Sequence, residues 1–192
     1  VKSAQWQPET VFYSSGSTGQ ARSAHPVKDL GFYLKHSTRC FETFFGNPSR
    51  YNFFALLPSY HESGHSSLLA MVDHFIAQSQ SKSSGFYLTN VDALLSDLEK
   101  LKNGPRKNIL WGVTYALLDL AKRFKPDLSS TLVFETGGMK GRGREVTRKE
   151  LHETLRAGLN VEKVYSEYGM TELFSQCYTR GSERFYCPPW VK

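Results

Sequence analysis

Short, nearly continuous apolar runs alternate along this chain with longer stretches in which apolar residues recur every three or four positions. Val11-Phe12-Tyr13 reads as the end of a buried strand that breaks abruptly into Ser14-Ser15-Gly16-Ser17-Thr18-Gly19. Between Val27 and Phe45, the residues Leu30, Tyr33, Leu34, Phe41, Phe44 and Phe45 fall at helical spacing, and Gly46-Asn47-Pro48 supplies a stop. Tyr51 to Leu57 is too short and too uniformly apolar for an amphipathic helix, so it predicts a buried strand ended by Pro58. A helix from Ser67 to Ala77 and a strand from Gly85 to Leu88 follow. Thr89-Asn90-Val91-Asp92 opens a helix with Leu94, Leu95, Leu98 and Leu101 on one face, and Lys102-Asn103-Gly104-Pro105 closes it. Ile109 to Val113 predicts a strand, Tyr115 to Phe124 a helix with Lys122 and Arg123 in its last turn, and Thr131 to Phe134 another strand. Thr147-Arg148-Lys149-Glu150 fits a capping box for a helix carrying Leu151, Leu155 and Leu159. Val161 to Tyr165 then reads as a strand running into a polar turn, and Phe174 to Tyr178 as one more strand.

Strands that alternate with helices of this length predict an α/β fold, a mostly parallel sheet with helices on both faces. Residues 1–10 are polar and read as a lead-in segment, leaving 11–192 as a single α/β domain. A composition of 40% hydrophobic, 22% charged and 14% aromatic residues is that of a soluble globular protein. No apolar run approaches the ~20 residues of a membrane span, and no signal-peptide pattern is present, so no membrane span and a cytoplasmic location are expected. Cys40, Cys177 and Cys187 are odd in number and lack a C-x-x-C pair, which predicts buried free thiols and neither a disulfide nor a zinc site. The net charge of +6 suits anionic substrates as readily as nucleic acid. The basic loop Lys140-Gly141-Arg142-Gly143-Arg144 has no interleaved aromatics, so no nucleic-acid partner is expected. The chain begins with Val and ends without an obvious stop, and it reads as a fragment of a longer protein.

Candidate chemistry lies in the polar breaks. Gly16 and Gly19 permit backbone angles at which successive N–H groups point to one side, and Ser14, Ser15, Ser17 and Thr18 add hydroxyl donors. Such a loop holds phosphate, although composition alone leaves a flexible Ser/Gly turn equally open. The helix that follows would favour an anion at its N-terminus, but several residues intervene between loop and helix. His61 and His65 stand four apart with Gly64 between them, and they lack the H-E-x-x-H form on a helix, so a hydrogen-bonded loop histidine is expected before a metal ligand. Gly137-Gly138 would allow close backbone approach to a flat ligand. Tyr168-Gly169-Met170-Thr171-Glu172 packs an aromatic, a hydroxyl and a carboxylate into five residues, which taken alone reads as an ordinary tight turn. The polar stretches 14–22, 60–66, 135–140 and 166–172 all fall at predicted carboxyl ends of strands, the sheet edge at which ligands bind in open α/β folds.

Ser14-Ser15-Gly16-Ser17-Thr18-Gly19 followed by Tyr168-Gly169-Met170-Thr171-Glu172, with Gly137-Gly138 between them, resembles the signature set of adenylate-forming enzymes, the superfamily of acyl-CoA synthetases, peptide-synthetase adenylation domains and firefly luciferase. Within it the chain is most similar to the acyl-protein synthetase (LuxE) family, in Gly19-Gln20-Ala21-Arg22-Ser23 and in Glu135 to Gly143. Other relatives usually have Pro-Lys where this chain has Ala21-Arg22. The resemblance implies part of the large N-terminal domain of such an enzyme, with ATP and Mg²⁺ as cofactors. It implies a fatty or other carboxylic acid as substrate, activated as the acyl-adenylate and passed to a protein thiol. By the same resemblance Ser14 to Gly19 and Arg22 hold phosphates, Thr171 contacts phosphate, Glu172 holds the metal, Gly137 and Gly138 lie against adenine with Tyr168 near the base, Gly169 belongs to the cofactor-binding residues, and His61 lines the acyl end.

The family's ribose-binding Asp and the C-terminal domain with its Lys are not identifiable before Lys192, so weak nucleotide binding and little turnover are expected of these residues alone. Its acyl-accepting cysteine lies near the far C-terminus, and neither Cys177 nor Cys187 is given that role. A CoA ligase for an aryl or fatty acid shares the core motifs and differs in the acceptor. A non-catalytic nucleotide-binding domain that kept the fold is the third reading, and a serine hydrolase is disfavoured because no G-x-S-x-G elbow is present.

Overall fold

The strands around Phe53 to Leu56, Ile109 to Trp111 and Leu132 to Phe134 are apolar on both sides and need cover on both faces, which the chain supplies from its helices. The computed structural model describes residues 6–13, 23–58, 65–137 and 146–191. In chain order these form β1 (Thr10–Tyr13), β2 (Ala24–Val27), α1 (Leu30–Phe45), β3 (Tyr51–Leu56), α2 (Ser67–Ser79), β4 (Gly85–Phe86) and α3 (Val91–Lys100). Then come β5 (Lys107–Val113), α4 (Thr114–Arg123), β6 (Thr131–Thr136), α5 (Arg148–Leu159), β7 (Val164–Met170), β8 (Ser175–Thr179) and β9 (Phe185–Tyr186). Among the described residues the main sheet has seven strands in the order β4-β3-β5-β6-β7-β8-β9. Pairing from β4 to β7 is parallel, and β8 and β9 add antiparallel. The expected α/β architecture is therefore what the chain adopts. Among the described residues no helix is long and apolar enough to cross a membrane.

Register decides which residues face which helices. Ala55, Trp111, Phe134 and Tyr165 lie side by side across β3, β5, β6 and β7 and share one face. Trp111 stacks on Phe134 at 4.8 Å and Phe134 on Tyr165 at 5.1 Å. Phe41 of α1 meets Phe53, Trp111 and Phe134 from above, and Phe75 of α2 sits 5.0 Å from Phe41, so α1 and α2 cover this face. On the opposite face, Gly112 abuts Leu117 of α4, and Asn108 donates to the Leu101 carbonyl that ends α3, 3.1 Å away. His152 of α5 reaches Ser166 on the same side at 3.1 Å.

Helix ends follow the local signals. The Asp29 carboxylate accepts from the Phe32 N–H at 2.8 Å, and Asn90 from the Ala93 N–H at 3.1 Å. Thr147 and Glu150 form the expected capping box. Gly46 ends α1 with φ +80°, a conformation that favours glycine.

Four expectations need correction. Val11 to Tyr13 does not enter the main sheet: β1 pairs antiparallel with β2, Thr10 opposite Val27, and Phe12 is buried edge-to-face against Tyr33 at 5.3 Å. That pairing uses Val27, so α1 begins at Leu30. Tyr168 to Met170 is strand and not turn, because Tyr168, Gly169 and Met170 pair with Cys177, Gln176 and Ser175 of β8. Finally, Cys177 and Cys187 are joined in a disulfide, their Cα atoms 4.5 Å apart, while Cys40 is the buried free thiol expected. The β8–β9 pairing brings the two cysteines together, and no spacing rule carries that information.

Helices α4 and α5 pack closely through Gly158, where an added Cβ would lie 2.7 Å from both the Cβ and the carbonyl oxygen of Ala121. Alanine for glycine inside a helix normally gains up to about 1 kcal/mol, whereas overpacking of this kind costs about 1–3 kcal/mol. Gly158→Ala should therefore lower the unfolding free energy in urea by roughly 1 kcal/mol or more. Gly85→Ala, whose Cβ would meet only Tyr87 at 3.7 Å, should change it by less than about 0.5 kcal/mol. A stabilised Gly158→Ala would contradict this packing.

Candidate active site

One row beyond the aromatic ladder, the same sheet face turns polar. Val113, Thr136, Glu167 and Tyr178 stand side by side across β5 to β8. The Thr136 hydroxyl donates to Glu167 Oε2 at 2.7 Å. Glu167 is only 8% exposed, and its pKa is pushed up to about 7, first by burial and further by the negative charge of Glu135, with the Thr136 hydrogen bond opposing both. A Cβ on Gly169 would fall 2.6 Å from Glu167 Oε1 and 3.8 Å from Gln176 Cγ. Glycine at 169 thus leaves the space over which the Glu167 and Gln176 side chains converge.

Across the sheet, on the α4 and α5 side, Glu135 is also buried, with its Oε1 3.6 Å from His152 Nε2. The Thr114 hydroxyl donates to the Gly137 carbonyl at 2.5 Å. This bond fixes the turn after β6, where Gly137 adopts φ +75°.

Thr136, Gly137, Glu167, Gly169 and Gln176 border a cavity of about 400 Å³ at the carboxyl edge of the parallel strands. Its floor is Glu167, Thr136 and Gln176, with Met71 and Val113 as apolar wall. Its rim carries Gly137, Tyr168, Gly169, Thr171 and Glu172. Thr171 and Glu172 lie in a 3₁₀ turn that follows β7, and Tyr168 is 52% exposed with its ring 5.8 Å from Phe185. The N-terminus of α2 closes another side through Ser66 and Ser67. Ser67 Oγ and Thr171 Oγ1 share a hydrogen bond of 2.7 Å, and the Tyr33 hydroxyl donates to the Ser67 carbonyl at 3.0 Å. Burial pushes the Tyr33 phenol well above its ordinary pKa, so it remains a neutral donor.

The β1–β2 hairpin is tied to the same place. The Tyr13 N–H donates to the His65 carbonyl at 2.9 Å, His65 Nδ1 lies 3.2 Å from the Val11 carbonyl, and the Tyr13 and His65 rings meet at 5.4 Å. Tyr13 and His25, on either side of segment 14–22, both line the cavity. A groove of similar volume, about 410 Å³, lies at α4 and is walled by Leu88, Val91, Ala116 and Leu118, without a comparable set of buried polar groups.

The structure thus gathers Gly137, Tyr168, Gly169, Thr171 and Glu172 around one cavity. Ser14, Ser15, Gly16, Ser17, Thr18, Gly19, Arg22, His61 and Gly138 lie outside the described residues. Sequence reasoning missed Glu167, Gln176, Thr136, Tyr33 and Ser67. A signal existed for the strand residues: Thr136 and Glu167 stand two positions after Phe134 and Tyr165, on the same face by the period of a strand.

Solved structures share this architecture. The chain superposes on O-succinylbenzoate coenzyme A synthetase (MenE) from Bacillus subtilis in complex with AMP, with a TM-score of 0.58, 20% identity and 88% of this chain covered. The chain thus shares the fold of part of that synthetase. It also matches an ATP-bound RpMatB–BxBclM chimera with a TM-score of 0.55 and 17% identity over 90% of this chain. The matched region spans 31% of the length of each of these proteins. No protein-family model and no curated protein sequence matches the chain.

The buried Glu167 makes stability depend on pH. Its folded pKa of about 7 lies above the ordinary 4.5, so between these values the unfolded chain releases the proton and the folded chain keeps it. The folded state is therefore progressively disfavoured as pH rises from 4.5 to 7, by up to roughly 3 kcal/mol in all, and the effect levels off above pH 7. Glu167→Gln should remove this component. Urea unfolding from pH 4.5 to 8 should show the variant gaining on the wild type by about 2–3 kcal/mol across that window, and parallel profiles would rule the buried carboxyl out as the cause.

Proposed function

We propose that this cavity is the adenylation site of an ATP-dependent ligase that activates a carboxylic acid and passes the acyl group to a thiol. The observation that carries the reading is the convergence of Gly137, Tyr168, Gly169, Thr171 and Glu172 on one cavity, within a fold shared with adenylate-forming enzymes. In the reaction a carboxylate oxygen attacks the α-phosphorus of ATP, the bond from that phosphorus to the bridging oxygen breaks, and pyrophosphate leaves with the bonding pair. The site must align acid and triphosphate and offer donors where charge develops. The Thr171 hydroxyl and the N-terminus of α2, beside it at Ser66 and Ser67, are such donors. Gly137 lets the purine lie against backbone, and the exposed Tyr168 ring offers it a stacking face. Segment 14–22, with Arg22, holds the outer phosphates in this reading.

Among the described residues no group of three or more His, Cys, Asp and Glu could hold a metal by itself. A single exposed carboxylate at Glu172 suits Mg²⁺, which binds through one or two carboxylates together with substrate phosphates and water. The ion would supply charge neutralisation for the departing pyrophosphate. Of the possible acceptors, a protein thiol, as in acyl-protein synthetases, follows from the Gly19 to Ser23 and Glu135 to Gly143 segments. A fatty acid is the substrate those segments suggest, and coenzyme A is the alternative acceptor.

The test is ATP–pyrophosphate exchange by the protein that contains this chain, with Mg²⁺ and a panel of carboxylic acids. Thr171→Ala and Glu172→Gln should each lower exchange by about a hundredfold, the usual loss for one group that stabilises transition-state charge. Undiminished exchange in both variants would place the reaction elsewhere. Intact-mass measurement with and without coenzyme A then separates self-acylation from acyl-CoA release.

A further inference from the structure

Among the described residues, β9 is held to the sheet by few contacts and one covalent bond. It pairs with β8 over two residues, Phe185 opposite Thr179 and Tyr186 opposite Tyr178, and so short an edge strand belongs to the parts of a fold that open first. Arg148 of α5 adds its guanidinium over the Phe185 ring at 4.5 Å and a hydrogen bond to the Glu183 carbonyl at 3.4 Å. Beyond β9, Trp190 meets His36 of α1 at 5.3 Å and stays 43% exposed. The disulfide closes the chain from Cys177 to Cys187, a separation of 10 residues, into a loop whose ends cannot part. This bond lies beside the rim of the cavity. Cys177 stands opposite Tyr168 in the β7–β8 register, and the Tyr168 ring rests against Phe185, a residue inside the closed loop, at 5.8 Å. Of the two cysteines Cys177 is buried and Cys187 exposed, so a thiol from solvent has an entry at Cys187. Cys40 is fully buried, and burial pushes its thiol up, which keeps it out of the exchange.

We propose that the Cys177–Cys187 disulfide is a redox-sensitive latch on the rim of the cavity. Closed, it keeps Phe185 behind the Tyr168 ring; opened by reduction, it lets β9 leave β8, and Tyr168 loses the surface that orients it. An external dithiol supplies the two electrons and two protons. One of its thiolates bonds to the Cys187 sulfur as the S–S bond breaks, and the Cys177 thiolate leaves and takes up a proton. The second thiolate of the reagent then closes the reagent's own disulfide and releases Cys187 as a thiol. The opening of the latch stands on the geometry alone. Its effect on a ligand rests on the adenylation reading, in which Tyr168 offers a stacking face to the purine.

The protein that contains this chain should be purified without reductant and compared before and after treatment with dithiothreitol, alongside Cys187→Ser. Peptide mapping by mass spectrometry should find Cys177 and Cys187 linked before treatment and separately alkylated after it; free thiols at both positions in the untreated protein overturn the inference. On reduction, amide hydrogen exchange over 175–187 should rise by about tenfold or more while β5 and β6 keep their protection. Unchanged exchange overturns the latch, and so does a loss of protection throughout the sheet, because the bond would then hold nothing or the whole fold. AMP should bind about tenfold more weakly to the reduced protein, as for the loss of one base–aromatic stack. Cys187→Ser should bind AMP at the reduced level and ignore dithiothreitol. Equal AMP affinity in the two redox states of the wild type, or a response that persists in Cys187→Ser, overturns the inference and leaves adenylation standing. No AMP binding in either state defeats the adenylation reading, and the hydrogen-exchange result still decides the latch.

Discussion

Phe41 is fully buried in the middle of α1, and its ring touches Phe45 on its own helix, Phe75 on α2, Phe53, Trp111 and Phe134 on the sheet, and Tyr178 on the antiparallel β8. These contacts connect both helices of this face with the parallel and the antiparallel parts of the sheet. A buried aromatic of this size is commonly worth about 3–5 kcal/mol, a large share of the ~5–15 kcal/mol that holds a domain together. The pairing of β8 with β7 depends on the same cluster, because Tyr178 packs on Phe44 and Phe45 as well. That pairing in turn gives the cavity its floor.

The site is a consequence of strand periodicity acting on that core. Along β6 and β7, Phe134 and Tyr165 face α1, and two residues later Thr136 and Glu167 must face the same way. This second row is also buried but polar at Thr136 and Glu167, so the sheet face changes from apolar core to polar cavity within one strand repeat. Glu167 is trapped at the border: too deep to be solvated, yet open towards the cavity through the space at Gly169. Its raised pKa and the unpartnered Gln176 oxygen have the same origin, since antiparallel β8 covers groups that would otherwise reach water. Functional sites commonly carry such poorly solvated groups, whose cost the surrounding core offsets.

Much of the architecture was legible because parallel strands covered on both faces must be apolar throughout. Tyr51 to Leu57, Ile109 to Val113 and Thr131 to Phe134 could hardly have been anything else, and the intervening helices carry clear caps at Asn90 and Thr147. The errors arose where an element's partner is distant or local chemistry is ambiguous. Val11-Phe12-Tyr13 has the composition of a core strand, but only Phe12 is fully buried, against a helix, and the hairpin stands apart from the sheet. The Tyr168 to Glu172 motif lines the cavity in a conformation other than the expected turn, since a glycine beside an aromatic reads as a turn until β8 is known to pair with it. Glu167 stayed invisible for a related reason. One residue before Tyr168 it reads as an ordinary surface carboxylate, and only register and the antiparallel neighbour show that it is buried.

The two ends of the cavity differ in how they would meet a ligand. At the rim the Thr171 hydroxyl is already paired with Ser67 at 2.7 Å, so a phosphate oxygen that binds there replaces one neutral hydrogen bond by a charge-assisted one. The gain is the difference between the two bonds, and the protein stays satisfied when the site is empty. At the floor, Glu167 Oε2 accepts from Thr136, and Gln176 Oε1 is shielded and has no hydrogen-bond partner among the described residues. In the proposed reaction, charge would therefore develop at the rim, where one hydrogen bond can be exchanged for another.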